Sequence, residues 1–205
     1  MFITLVFAAV LSATHPVPDA APDCSVDREA LLALPVEAFD QDMQGGWRPL
    51  GEQEGCHLAA AELIADYRRV NQPAGRNLLT WHEAQMRANV GQSTAAIALM
   101  RQSLQEEGDA TGWNAYVEGS IAFLQGDRAG LDEAHAVLAA TPPPSGIEVK
   151  DGKFNITGPD GNEIAISWPA NLDILEAFAR CFDKDYLHAY GSQACRYPGK
   201  GDGGD

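Results

Sequence analysis

Positive charge is what this chain has least of. Only 14 Lys and Arg stand against 29 Asp and Glu, leaving a net charge of −15 over 205 residues. No basic stripe interrupts that surplus. Nucleic-acid binding needs clustered Lys and Arg to neutralise phosphates, so that class is excluded, and anionic membrane surfaces are disfavoured for the same reason. Several motifs are missing too. None of the four cysteines lies in a CxxC, which argues against a zinc site or a thioredoxin-type redox pair. His82-Glu83 lacks a second His four positions after His82, where Met86 stands, so the zinc-protease signature fails. There is no GxSxG and no phosphate-cradling glycine loop. Asp151-Gly152 and Asp160-Gly161-Asn162 lack the spaced oxygen ligands and distal Glu of a calcium loop and are turn chemistry. No cofactor, no metal and no catalytic residue is expected.

What is present is a period. Gly55, Gly91 and Gly126 are spaced 36 and 35 residues apart, inside the window of stacked repeats. Each is followed by a helical apolar pattern. The first is Ala60, Leu63, Ile64 and Tyr67; the second is Ile97, Met100 and Leu104; the third is Leu131, Ala134 and Leu138. Two of the glycines are also preceded by a stripe, Leu78–Trp81–Ala84–Ala88 and Trp113–Tyr116–Val117–Ile121–Leu124. A glycine ends a helix cheaply because the left-handed position carries no Cβ penalty. Ser93 and Asp127 then suit the start of the next helix. The pattern is helix, tight turn, helix, repeated, and the aromatics at helical spacing belong to its core.

These residues resemble the tetratricopeptide-repeat family of helical hairpins. Ala84 and Gly119 stand at its small helix-contact position, Ala60, Ala96 and Leu131 where it prefers Ala, and Gln72, Gly108 and Pro143 at its inter-repeat break. Arg87 and Ala122 replace its Tyr, and Ile64, Met100 and His135 its second-helix aromatic. The resemblance covers under half of the chain. It implies α-solenoid packing and a groove for a peptide or protein, and no chemistry. An irregular helical bundle would give the same helical middle.

The ends point outward from the cytoplasm. Residues 1–21 combine a short apolar core with small residues and a Pro-rich exit, the composition of a signal peptide without its basic start. Cys24, Cys56, Cys181 and Cys195 are an even set, as in disulfide-bonded exported chains. Three pairings are open; the sequentially local one would clip each end of the chain. A bonded Cys56 would also remove any nucleophilic role beside His57. The expected location is periplasmic or secreted, with no membrane span after signal cleavage.

The expected fold is mainly α: an α-solenoid of helical hairpins over 24–141, then a small β-meander and a final helix over 146–195, and a disordered tail over 196–205. The meander is read from alternation in 147–150, 153–157 and 163–168 around Asp-Gly turns. It must pack on something, and the last repeat is the available surface. Asn171 starts the last helix, with Ile174, Leu175, Phe178 and Phe182 inward.

The functional expectation is a scaffold or adaptor that binds a protein or peptide partner in the cell envelope. Its groove residues are polar positions on the first helix of each hairpin: Asn77, His82, Gln85, Arg87, Asn89, Asn114 and Glu118. Two other readings remain. One is a hydrolase with paired carboxylates between repeats and meander, drawn from Glu83, Glu118 and Glu163. The other is a self-associating structural module.

Overall fold

The computed structural model describes residues 21–72, 77–106, 108–157 and 162–199. Residues 1–20 of the expected signal peptide and the residues from 200 onward lie outside that range. Among the described residues the chain is mainly helical. The long helices are α3 (His57–Asn71), α4 (Asn77–Asn89), α5 (Ser93–Gln102), α6 (Trp113–Gln125) and α7 (Arg128–Ala139). Before them come α1 (Arg28–Leu32), a π-helical turn (Glu37–Gln41) and α2 (Arg48–Glu52). After them come strands β1 (Lys153–Thr157) and β2 (Glu163–Ser167), then α8 (Leu172–Arg180), α9 (Tyr186–Gly191) and α10 (Gln193–Arg196). No helix here is long and apolar enough to cross a membrane.

The punctuation is where the glycines put it. Gly55, Gly91 and Gly126 have φ of 81°, 74° and 69°, the left-handed conformation in which a side chain would be strained. Asp127 then caps α7 by accepting from the Gly130 N–H. Ser93 is the first helical residue of α5 rather than its cap. At the N-terminus Asp27 caps α1 by accepting from the Ala30 N–H.

Two apolar cores meet at α4. The first gathers Phe39, Trp47, Leu50, Leu63, Ile64 and Tyr67 with Leu79 and Met86 of α4. Tyr67 stacks on Phe39 at 3.7 Å between centroids and donates to Leu34 O at 2.7 Å. The second gathers Met100, Tyr116, Val117, Leu131, Leu138, Leu175 and Phe178 with Trp81, Ala84 and Ala88 of α4. Leu78, assigned to that stripe from the sequence, is exposed; Leu79 points to the other core instead.

The C-terminal third departs from expectation. The sheet has two strands, not three, paired antiparallel with Phe154 opposite Ile166 and Ile156 opposite Ile164. Residues 147–150 form no strand. Asp151 and Gly152 do adopt the tight left-handed turn (φ 51° and 70°), but only Lys150 and Lys153 pair across it. The strands are short and carry little that needs burying: Ile156 and Ile164 stay exposed. A link to the helices runs through Trp168, which donates to Thr141 O at 3.1 Å. What covers the helices is α8, which packs on α6 and α7 through Ile174, Leu175 and Phe178, and α9, which reaches α4. Gly119 permits the approach, since a Cβ there would lie 2.7 Å from Leu175 Cδ2. Arg196, assigned to the tail, ends α10 and pairs with Asp173.

Both local disulfides form. Cys24–Cys56 ties the N-terminal segment to the start of α3, and Cys181–Cys195 ties the end of α8 to α10, with Cα separations of 5.4 and 5.8 Å. Such bonds persist in oxidising compartments. They close loops of 32 and 14 residues, which by chain entropy are worth about 4 and about 3 kcal/mol. Replacing Cys24 and Cys56 together by Ala therefore lowers the urea midpoint more than replacing Cys181 and Cys195, with unchanged far-ultraviolet circular dichroism in buffer.

Candidate functional site

The site follows from the way α4 is striped. At about 100° per residue, Leu79 and Met86 point one way and Trp81, Ala84 and Ala88 roughly the opposite way, so α4 serves both cores. Its polar residues then fall into the two seams between the cores. Thr80, Glu83 and Arg87 lie toward one seam; His82, Gln85 and Asn89, at i, i+3 and i+7, line the other.

The first seam is closed by ions. Glu83 is buried and receives the Arg68 guanidinium of α3 on one oxygen and Arg87 Nε on the other at 2.8 Å. Arg87 also donates to Gln92 Oε1 at 2.9 Å. A carboxylate so deep is tolerable because both oxygens are bonded to cations.

The second seam stays open as a pocket of about 200 Å³ between α2, α4 and α9. Trp47 walls one side, Tyr186 and Tyr190 the other, and Gln85, Met86 and Asn89 form the α4 side. Tyr186 and Tyr190 stack on each other at 5.7 Å, while the Arg48 guanidinium lies 4.9 Å from the centre of the Trp47 ring. Behind the wall stands Asp40, on the π-helical turn and 2% exposed. It accepts from Trp47 Nε1 at 2.8 Å and from Gln41 Nε2 at 2.6 Å, and pairs with His82 Nδ1 at 2.7 Å. Burial raises the Asp40 carboxyl, but the His82 bond and charge, with the Trp47 and Gln41 bonds, outweigh it and hold the group below its ordinary range.

Two polar atoms beside this pocket are shut off from water: Asn89 Oδ1, which meets no donor among the described residues, and the Tyr186 hydroxyl, which has the Gln85 amide near it. Burial drives the Tyr186 phenol far upward; the Gln85 amide is near enough to offset that slightly. A buried polar atom without a bond typically costs about 1–3 kcal/mol.

A second hollow, an open cleft of about 510 Å³, runs between the end of α5, α6 and α7. Leu104, Ile121, Ala134 and Val137 make its apolar floor, and Val137 is 57% exposed. Glu118, Glu133 and Arg101 line it, and none of the three is in an ion pair among the described residues.

The residues assigned to one groove thus occupy several places. His82, Gln85 and Asn89 share the pocket; Glu118 lines the cleft; Arg87 belongs to the ionic seam. Asn114 brackets the Gln105 backbone from both sides, at 2.8 and 2.9 Å, and Asn77 is exposed at the start of α4. The carboxylates of the hydrolase reading are equally scattered: Glu83 between arginines, Glu118 in the cleft, Glu163 on β2 bonded to Thr157 at 2.9 Å. Cys56 is bonded, which removes a Cys–His pair. His135 is half-buried 3.9 Å from Glu176. Sequence reading missed Asp40, Tyr186 and Tyr190. The one available signal was Trp47 amid glycines, an aromatic needing a partner for its N–H.

No protein-family model, curated protein or solved structure matches the chain.

Two outcomes follow from the seams. Glu83→Gln strands two half-buried arginines and lowers stability by about 3 kcal/mol in urea unfolding. Asp40 has a folded pKa below its unfolded value, so its contribution is present above the ordinary carboxylate range and is lost as pH falls through the folded value. Asp40→Asn is therefore less stable at neutral pH, and the stability lost on acidification below about pH 4 shrinks, read from melting temperature against pH.

Proposed function

We propose that the protein is an exported helical scaffold that binds a protein or peptide partner and catalyses nothing. The observation that carries this reading is the cleft between α5, α6 and α7: an apolar floor rimmed by Glu118 and Glu133, neither in an ion pair among the described residues, with Arg101 also at the lining. A hydrophobic floor with an acidic rim complements an amphipathic segment carrying Lys or Arg, and a net charge of −15 steers such a segment inward. The two disulfides support export, to the periplasm or the medium. Helices joined through left-handed glycines support a reading of the chain as a platform with recognition on its surface.

The test is fluorescence anisotropy of a labelled leucine–lysine amphipathic peptide, with its leucine–glutamate counterpart as control. The basic peptide binds and the acidic one does not. Raising salt from about 20 to about 300 mM shortens the screening length and weakens binding severalfold. Glu118→Lys with Glu133→Lys lowers affinity by about tenfold or more, a loss of roughly 1.4 kcal/mol. Equal binding of both peptides, or indifference to the double variant, rejects the cleft. Concentration-dependent self-association without peptide binding favours the structural module.

A further inference from the structure

The two-stranded sheet has an open edge along β2. We propose that β2 pairs antiparallel with β2 of a second copy of this chain, joining two hairpins into one four-stranded sheet and two chains into a dimer.

The backbone decides which edge is available. Along an antiparallel pair, residues alternate between those that exchange hydrogen bonds with the partner strand and those whose N–H and C=O turn away. Trp168 N donates to Gly152 O at 2.8 Å, so Trp168, Ile166 and Ile164 aim their backbone groups at β1. Glu163, Ala165 and Ser167 therefore aim theirs outward, and all three residues are exposed. No other backbone group among the described residues bonds to them there. The outer edge of β1 differs, because Lys150 and Lys153 exchange bonds at 2.9 and 2.8 Å and the chain folds back on it. Edges are commonly blunted by charge, proline or a bulge. The edge of β2 has one charge, Glu163 at its first position, and its register with β1 is unbroken.

Three features select a copy of itself as the strand that covers this edge. The first is sequence. Residues 163–167 read Glu-Ile-Ala-Ile-Ser, which is nearly palindromic about Ala165. With a two-fold axis at Ala165, that small residue meets itself, Ile164 meets the partner's Ile166, and Glu163 meets the partner's Ser167. No like charges stand directly opposite, which would be unfavourable. The isoleucines fall at the closer kind of pair, with Cα atoms about 4.5 Å apart, so Ile164, now 44% exposed, gains cover.

The second is charge. Lys153 stands opposite Ser167 within its own hairpin. The partner's Glu163 would flank the same Ser167 from the other side, in steps of about 4.8 Å between strands. A long basic and an acidic side chain then meet across a small hydroxyl, twice by symmetry. Among the described residues neither Lys153 nor Glu163 is in an ion pair. A foreign strand would have to bring an acid at that one register.

The third is strand number. An isolated two-stranded hairpin is marginal in water, and three or more strands are needed for independent stability. A second copy supplies the missing strands.

Pairing through β2 is independent of the peptide cleft. The test is sedimentation velocity and amide hydrogen exchange on the full chain with both disulfides intact. At about 0.15 M salt the screening length is about 8 Å, so chains of net charge −15 can approach. The expected result is a monomer–dimer equilibrium with a dissociation constant of about 10–100 µM, that of a small interface. Exchange of the Glu163, Ala165 and Ser167 amides slows as concentration rises. Ala165→Pro removes an outward N–H and leaves the β1–β2 bonds in place. Circular dichroism and basic-peptide affinity then hold while dimerisation weakens about tenfold or more, so loss of the dimer is read separately from failure of the cleft. Lys153→Glu alone weakens the dimer severalfold, and Lys153→Glu with Glu163→Lys restores it. A chain monomeric up to about 1 mM overturns the proposal and leaves the edge to a strand of another protein. A dimer indifferent to Ala165→Pro, or a charge exchange that restores nothing, overturns it as well.

Discussion

The structure depends on one buried carboxylate. Glu83 sits between Arg68 of α3 and Arg87 of its own helix, and that clamp fixes α4 where two apolar cores must share it. A helix serving one core needs a single apolar stripe. A helix serving two has to be apolar on opposite sides, which leaves its remaining positions facing the seams. Those positions cannot reach solvent freely, and here they are polar. Ionic closure at Glu83 solves this on one side.

The ends of the chain are organised around the same helix. On the N-terminal side, the π-helical turn carries Asp40 to His82 and Trp47, so a carboxylate 42 residues distant from its histidine ties the first core to α4. On the C-terminal side, α8 fills the groove over α6 and α7, and α9 reaches α4 through Tyr186 and Tyr190. Each tie lies next to a disulfide that shortens the unfolded chain around it. The short elements, α1, α2, α9 and α10, have too few residues to hold their helical form alone. Their positions are set by these long-range contacts and cross-links.

What the sequence made legible was whatever depends on neighbours in the chain. The left-handed glycines, the Asp127 cap, the apolar faces of α3 and α7, and the inward residues of α8 all follow from spacing of three or four. The helical middle was readable for that reason; the disulfide partners, left open among three pairings, took the sequentially local one. What depends on the second apolar stripe was not. Leu79 and Met86 look like breaks in the Trp81–Ala84–Ala88 pattern until a second core is known to exist, and only then does Gln85 become a wall residue rather than a surface one. The third strand of the meander failed for a related reason. Alternation in 147–150 is real, but a strand also needs a partner with area to bury, and the helices had already been covered by α8 and α9. Seven polar positions on first helices looked like one groove because they share a helix register. Three of them do share a place, and the others are divided by the very contacts that assemble the cores.

The open seam is the consequence that matters for function. Arg48 and Glu52 of α2 line this seam, but they do not close it as ions close the other. Instead Asp40 is spent on His82 and Trp47, and α9 presents tyrosines. Aromatic rings can flank amides but cannot satisfy all of their hydrogen-bonding positions, and Asn89 Oδ1 remains without a donor among the described residues. A seam left this way is less stable than one filled with apolar side chains of the same volume. Substituting Leu at Gln85 and Asn89 would give such a filling on an otherwise unchanged scaffold. The wild-type residues therefore forgo stability at a place where the helix register permits an easy remedy. Positions where local stability is given up without compensation inside the chain cluster at functional sites.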